Sequence, residues 1–327
     1  MNPQVSSDSQ MNAENALKKE MRSGRFSHAL LLSGQRGIGK KTLARYLAKG
    51  LLCQNEDLTL RPCGICRACK RYENGTHSNL LKPALKTTDK SIGIDPIREI
   101  VEELSHHGLE NGARVILIEN ADKMTSQAQN CLLKTLEEAG NQTHFILTAD
   151  SERSILPTIL SRCRIERMQP WDDERMATEL RKTGMDRNRI EELIRLSEGS
   201  IGRALSIHED AAFWTARENV TKAFFTLSKP SDIPQRLSLL KDKKEDSALY
   251  LDILEQTVSS YLHEKATENS THLSPSPLWD KAPLSGLRKI SDAIQQARRL
   301  RAANVGWQPV AEQLMQIISE ETSKWQQ

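Results

Sequence analysis

Residues Gly34 to Thr42 read GQRGIGKKT. The phosphate-loop pattern G-x-x-x-x-G-K-[ST] uses glycines for close backbone approach, a lysine to neutralise phosphate and a hydroxyl to hold Mg²⁺. Gly34, Gly39 and Lys40 fit, and Gly37 adds a further glycine within the loop. The hydroxyl position is Lys41, whose ammonium has three donors and no acceptor. Pointed the same way, it would repel the metal: two unit charges near 4 Å interact by roughly 1 kcal/mol in water and about 4 at an effective dielectric of 20, doubled for a divalent ion. Thr42 comes one residue late and should face elsewhere on the helix. Downstream, the apolar run Val115 to Ile118 ends in Glu119-Asn120, where an ATPase of this kind places Asp-Glu. Glu119 can still reach a metal; Asn120 cannot serve as a base near neutral pH. Two readings remain open, a degenerate nucleotide or phosphate site and a tight turn between strand and helix, and hydrolysis is disfavoured twice over.

Cys53, Cys63, Cys66 and Cys69 follow with the spacing C-x9-C-x2-C-x2-C. Four thiolates on a short loop suit structural Zn²⁺, which prefers sulfur and four tetrahedral ligands. A C-x-x-C redox pair is the alternative, as are unrelated cysteines. Cys131 falls in an amphipathic stretch and reads as core, and Cys163 sits beside Arg162 in LPTILSRC. Arg162 is either a cation at a helix C-terminus or an arginine finger for a phosphate in a neighbouring subunit. Arg36, Lys40, Lys41 and Arg45 form a local basic cluster, either a solvated helix face or a contact for nucleic-acid phosphates.

Alternating elements must position these residues. His28 to Ser33 reads as a buried strand, and Lys41 to Leu52 as a helix with Leu43, Tyr46, Leu47 and Leu51 on one side. Helices follow over 95–105, opened by Pro96, over 125–138 and over 154–160. Arg114 to Ile118 and His144 to Thr148 read as strands. The alternation predicts an α/β domain with a parallel sheet covered on both faces. Residues 1 to about 10 read as a disordered or loosely docked tail, before a short helix over 12–21.

Strand signals stop after about residue 166. Short helices are predicted over 175–183, 186–197 and 202–207, then long ones. Leu251, Leu254, Val258, Tyr261 and Leu262 form one apolar stripe; Leu287, Ile290, Ile294 and Ala297 a second; Val310, Leu314 and Ile317 a third. Residues 264–283 are polar and proline-bearing, a long loop. The expected domains are 1–166, 167–208 and 209–327.

The chain has 327 residues, 27% of them charged and 4% aromatic, with a formal net charge of +3. That suits a helix-rich protein with a hydrated surface, and the charge is too small for a nucleic-acid signature by itself. No stretch is apolar enough to span a membrane, and the N-terminal segment lacks a secretory pattern. The chain reads as cytoplasmic, where a reducing environment favours metal-bound or free thiols over disulfides.

In this order the motifs resemble the AAA+ clamp-loader family of bacterial DNA polymerase III. The likeness lies in FSHALLLSG (26–34), the four-cysteine segment, GTHSN (75–79), GIDPIREI (93–100), NCLLKTLEE (130–138), ILPTILSRC (155–163) and GSIGRAL (199–205). It covers about residues 10–208. The resemblance implies a RecA-like AAA+ domain with a zinc module, a helical lid and an all-α C-terminal collar. The implied setting is a hetero-pentameric ring of motor and delta subunits that places a sliding clamp on primer–template DNA. Arg162 would then reach the ATP site of an adjacent motor subunit. Motor subunits carry Thr after the loop lysine, Asp-Glu at the strand end and a lid arginine; here stand Lys41, Glu119-Asn120 and Gly202, with Arg203 one place along. Thr148 takes the position of a sensor threonine. The departures favour a non-hydrolysing stator; the alternative is a motor that binds and hydrolyses ATP through Glu119 and an unusual metal arrangement.

Overall fold

The computed structural model describes residues 4–85, 90–105, 112–138, 140, 142–227, 229–240, 244–267 and 276–325. It divides into two compact units, Met1–Leu205 and Ser206–Gln327.

In the first unit, α1 (Gln4–Arg22) precedes β1 (Ala29–Ser33), α2 (Lys40–Leu52) and α3 (Arg67–Glu73). Then come β2 (Leu80–Leu81), α4 (Ile94–Ser105), β3 (Arg114–Ile118), α5 (Ser126–Glu138) and β4 (Thr143–Ala149). The sheet closes with α6 (Pro157–Leu160) and β5 (Arg164–Arg167). Its five strands are parallel and ordered β2-β3-β4-β1-β5. Adjacent side chains of a strand point to opposite faces, and the core divides accordingly. Leu30, Leu32, Val115, Leu117 and Ile146 meet α1 and α2 through Leu17, Met21, Leu43 and Leu47. Leu31, Ile116, Ile118, Phe145 and Leu147 meet α4 and α5 through Ile97, Ile100, Leu132 and Leu136. Both faces are covered, as the continuous apolar runs of β1 and β3 require.

Two sequence expectations change, and two strands appear that the sequence did not signal. The N-terminal segment is helical from Gln4: α1 carries the short helix expected over 12–21 outward by two turns. Those added turns are polar and carry no apolar period of their own, while Leu17 and Met21 anchor the helix on the sheet. β5 reads RIER and was hidden by its alternating charges; it pairs along β1 from Leu30↔Arg164 to Ser33↔Arg167. β2 is only two residues long. The expected helix over 154–160 is a 3₁₀ turn at Glu152–Ser154 followed by α6.

Gln129 on α5 is 2% exposed and links this helix to the segment entering α6. Its amide nitrogen donates to the carbonyls of Met124 (3.2 Å) and Ser154 (2.8 Å), and its Oε1 accepts from the Leu156 N–H (2.7 Å). Removing it strands buried backbone groups at ~1–3 kcal/mol each. Gln129→Leu is expected to destabilise the first unit by about 2–4 kcal/mol. The check is a lower urea midpoint at unchanged m-value; an unchanged midpoint would mean that water replaces the amide.

After β5 come α7 (Asp173–Arg181), α8 (Arg187–Ser197) and α9 (Ile201–Glu209). Asp172 and Asp186 cap α7 and α8, each accepting a backbone N–H. The second unit holds α10 (Ala211–Val220), α11 (Ile233–Leu237), α12 (Lys244–Thr267), α13 (Pro277–Asp280), α14 (Leu284–Ala302) and α15 (Trp307–Lys324). α14 packs against both α12 and α15. The first two stripes are in the core, apart from a half-buried Leu262. In the third, Ile317 is half-buried and Ile318 takes the buried place, four residues after Leu314 on the inner helical face. Trp279 anchors an aromatic cluster with Phe225, Tyr261 and Trp325. Of the loop expected over 264–283, residues 268–275 lie outside the described residues; α12 and α13 occupy its flanks. Among the described residues, no helix is long and apolar enough to cross a membrane.

Candidate functional site: a glycine loop under a helical cover, a thiol cluster and an exposed arginine

The glycine loop leaves β1 and enters α2, the strand–loop–helix context that the motif demands. Gly34, Gly37 and Gly39 all have positive φ (146°, 84° and 98°). Gly37 shows why glycine is required: a Cβ there would lie 2.2 Å from Ser200 Oγ. Lys40 is 5% exposed. Its Nζ donates to the carbonyls of Gly34 (2.6 Å) and Gln35 (2.7 Å) and pairs with Asp150 Oδ1 (2.8 Å). Thr42 is exposed and makes none of these contacts.

Glu119, at the end of β3, is bound by cations from α2. Arg45 donates to both carboxylate oxygens at 2.6 and 2.9 Å, and Lys41 Nζ lies 3.7 Å away. The bidentate bond raises the Arg45 guanidinium pKa. Lys41 therefore stands beside the Glu119 carboxylate, whose single charge is already engaged by Arg45. Asn120 adopts the left-handed conformation (φ 57°), and its backbone N–H donates to Thr148 Oγ1 (3.0 Å). In this chain the sensor-position threonine fastens β4 to the turn after β3. Of the basic cluster, Lys40, Lys41 and Arg45 thus have acidic partners.

A cover lies directly on the loop. Gly202 N–H donates to Gly37 O (2.9 Å), Ser200 Oγ to Arg36 O (3.0 Å) and Trp171 Nε1 to Ile38 O (3.1 Å). A Cβ at Gly202 would sit 3.1 Å from both Gly37 Cα and Gly37 O, tighter than ordinary contact. Arg175 stacks on the Trp171 ring (3.8 Å) and bonds the Glu14 carboxylate of α1 at 3.0 Å. Sequence reasoning missed Asp150 and Trp171, and it flagged Arg45 in the basic cluster and Ser200 in GSIGRAL without their partners Glu119 and Arg36 O, because each acts through a long-range contact.

The four cysteines come together. All four Sγ atoms lie within 4.8 Å of one another, with Cys53–Cys63 at 3.6 Å and Cys53–Cys66 at 3.8 Å. A tetrahedron of Zn–S bonds near 2.3 Å needs sulfur–sulfur separations of about 3.8 Å. The thiols are free, far beyond disulfide contact. Backbone N–H groups of Cys63, Cys66 and Cys69 donate to the sulfurs of Cys53, Cys63 and Cys66 at 3.4–3.5 Å. Such bonds favour thiolates: those from Cys66 and Ile65 draw the Cys63 pKa down to about 6, whereas burial pushes Cys69 up to about 12. The donor set and spacing fit a closed metal site. Cys66 also caps α3, and Tyr72 of α3 donates to the Arg45 carbonyl (3.0 Å), so this module leans on α2. Cys131 packs half-buried on the core, and burial pushes the Cys163 thiol up to about 12.

Arg162 follows α6 with its side chain 36% exposed. Its guanidinium donates to Thr158 O (3.0 Å) and Ser161 Oγ (3.3 Å) and pairs with Glu137 of α5. It is at the surface, away from this chain's own glycine loop contacts.

Comparison with known proteins identifies the family. A family model described as DNA polymerase III, delta subunit, matches residues 9–172. The DNA polymerase III subunit delta' of Escherichia coli is 32% identical over 268 residues, covering 78% of this chain and 80% of that protein. Its Haemophilus influenzae counterpart is 31% identical over 221 residues, covering 66% and 65%. Subunit tau of E. coli is 31% identical over 232 residues, or 69% of this chain, which spans only 36% of tau. The chain belongs to the AAA+ clamp-loader family of DNA polymerase III subunits and resembles its delta' members.

Proposed function

We propose that this chain is a non-hydrolysing stator subunit of the DNA polymerase III clamp loader. It helps a hetero-pentameric ring of motor and delta subunits load the sliding clamp on primer–template DNA. Its own part is to hold shape and to lend Arg162, as a finger in trans, to the ATP site of a neighbouring motor subunit. The observation that carries this reading is the internal engagement of its degenerate nucleotide site: Lys40 is bonded to Asp150, and Glu119 to Arg45 and Lys41. Neither a metal-holding hydroxyl nor a base stands in the motif positions, and the cover is hydrogen-bonded to the loop. Catalysis needs groups positioned for charge that develops in the transition state; here those groups are committed to one another.

Zn²⁺ is the metal we assign to Cys53, Cys63, Cys66 and Cys69. With four protein thiolates there is no open coordination position, so its role is to fold the 53–75 segment rather than to activate water.

Purified protein given Mg²⁺-ATP and primed DNA is expected to show no turnover above background, read as phosphate release. Turnover that disappears in Lys40→Ala would overturn the stator reading and make this chain a motor.

A further inference from the structure

A metal–nucleotide ligand would bring two kinds of charge to the glycine loop, phosphate oxygens for Lys40 and a cation for Glu119. The chain supplies both from its own side chains. The Lys40 ammonium has three N–H donors and three acceptors: Gly34 O, Gln35 O and Asp150 Oδ1. The only full negative charge among these is Asp150. Its place is fixed by the sheet, since it follows β4 directly, Ala149 pairs with Ser33, and Gly34 N–H donates to Ala149 O (3.3 Å). Just after the neighbouring strand β3, Glu119 is met by Arg45 and Lys41 of α2, which stand by it as a cation would.

We infer that Asp150 is a built-in stand-in for a phosphate, which occupies Lys40 and keeps the loop from taking a polyphosphate ligand. The inference deepens the stator reading, since it concerns the same degenerate loop. The physical basis is competition within one site. Lys40 is 5% exposed while Asp150 is 37% exposed at its side chain. A buried ammonium needs a paired charge, and the tethered carboxylate is present at all times, whereas a ligand must be bound from solution. Removing the carboxylate leaves Lys40 with two neutral carbonyls and one unmatched positive charge, which a phosphate oxygen would meet. Because Arg45 and Lys41 already neutralise Glu119, the ligand uncovered in this way should need no divalent ion.

The test is calorimetric titration of ADP, and separately of inorganic pyrophosphate, without added Mg²⁺. Asp150→Asn and Asp150→Ala are expected to bind at least tenfold more tightly than the wild-type chain, and Asp150→Glu, which keeps the charge, to bind as weakly as wild type. The gain should vanish in Asp150→Asn/Lys40→Ala. Asp150→Asn is nearly isosteric and carries the test if Asp150→Ala lowers the melting temperature. Equal affinity of wild type and Asp150→Asn would overturn the inference, as would a gain that survives loss of Lys40. Neither outcome touches the stator reading, which falls instead if the wild-type chain turns over ATP.

Discussion

Arg162→Ala, assembled with its partner subunits, is expected to lower turnover at the one ATP site it completes by about 10³-fold or more. Total ATPase of the complex should then fall by that site's share, with assembly unchanged on gel filtration. At rest the guanidinium is held by Thr158 O, Ser161 Oγ and the Glu137 carboxylate. That ion pair is more than a third exposed on both sides, and exposed pairs contribute roughly 0.2–1 kcal/mol. A 10³-fold rate effect corresponds to about 4 kcal/mol. A charge developing on a phosphate therefore outcompetes the resting contacts easily, and the folded-back rotamer is no obstacle. Arg162→Lys should fail nearly as badly, because an ammonium lacks the planar fork. A complex whose clamp- and DNA-stimulated ATPase is the same with and without Arg162 would end the finger assignment.

Metal removal should have the largest effect on structure. A mercurial that titrates thiols is expected to release one Zn²⁺ per chain, and Cys66→Ser/Cys69→Ser to yield protein without zinc. Structural Zn²⁺ contributes an apparent ~10–16 kcal/mol in isolated zinc-finger peptides. Much of the 53–75 segment lies outside the two faces of the sheet, so most of its order should depend on the ion. Hydrogen exchange in 53–75 should rise sharply while the strands of the sheet stay protected, and α3 should fray in the mercurial-treated protein, where the Cys66 sulfur that caps it is taken up. Purified protein that contains no stoichiometric zinc would sink the assignment.

The sequence announced β1, β3 and β4 because strands buried on both faces are continuously apolar, as Leu30 to Leu32 and Val115 to Ile118 are. β5 lies at the sheet edge, where exposed Arg164 and Arg167 flank half-buried Ile165 and Glu166, so no apolar run marks it. The first turns of α1 were missed for a related reason: their residues are polar, and the anchor lies further along at Leu17 and Met21. In the candidate site, the glycines, Lys40 and the four cysteines were legible because spacing along the chain is itself their signal. The partners that decide what the loop can do come from elsewhere: Arg45 meets Glu119 across 74 positions, and Ser200 meets Arg36 across 164. Pairings of that kind depend on sheet order and helix packing, so no local pattern contains them.

The contact between Gly37 and Gly202 makes sequence change at one depend on room at the other. An arginine introduced at 202 would need Gly37 or the cover to give by a few tenths of an ångström, because its Cβ would meet Gly37 Cα and O at 3.1 Å. Restoring Thr at 41 and Asp-Glu at 119–120 leaves that obstacle untouched. The bonds from Trp171 to Ile38 O and from Ser200 to Arg36 O flank the same contact and resist that shift. A side chain at 202 thus carries a packing cost that changes at 41, 119 or 120 do not address, and the glycine pair ties change at one position to movement at the other.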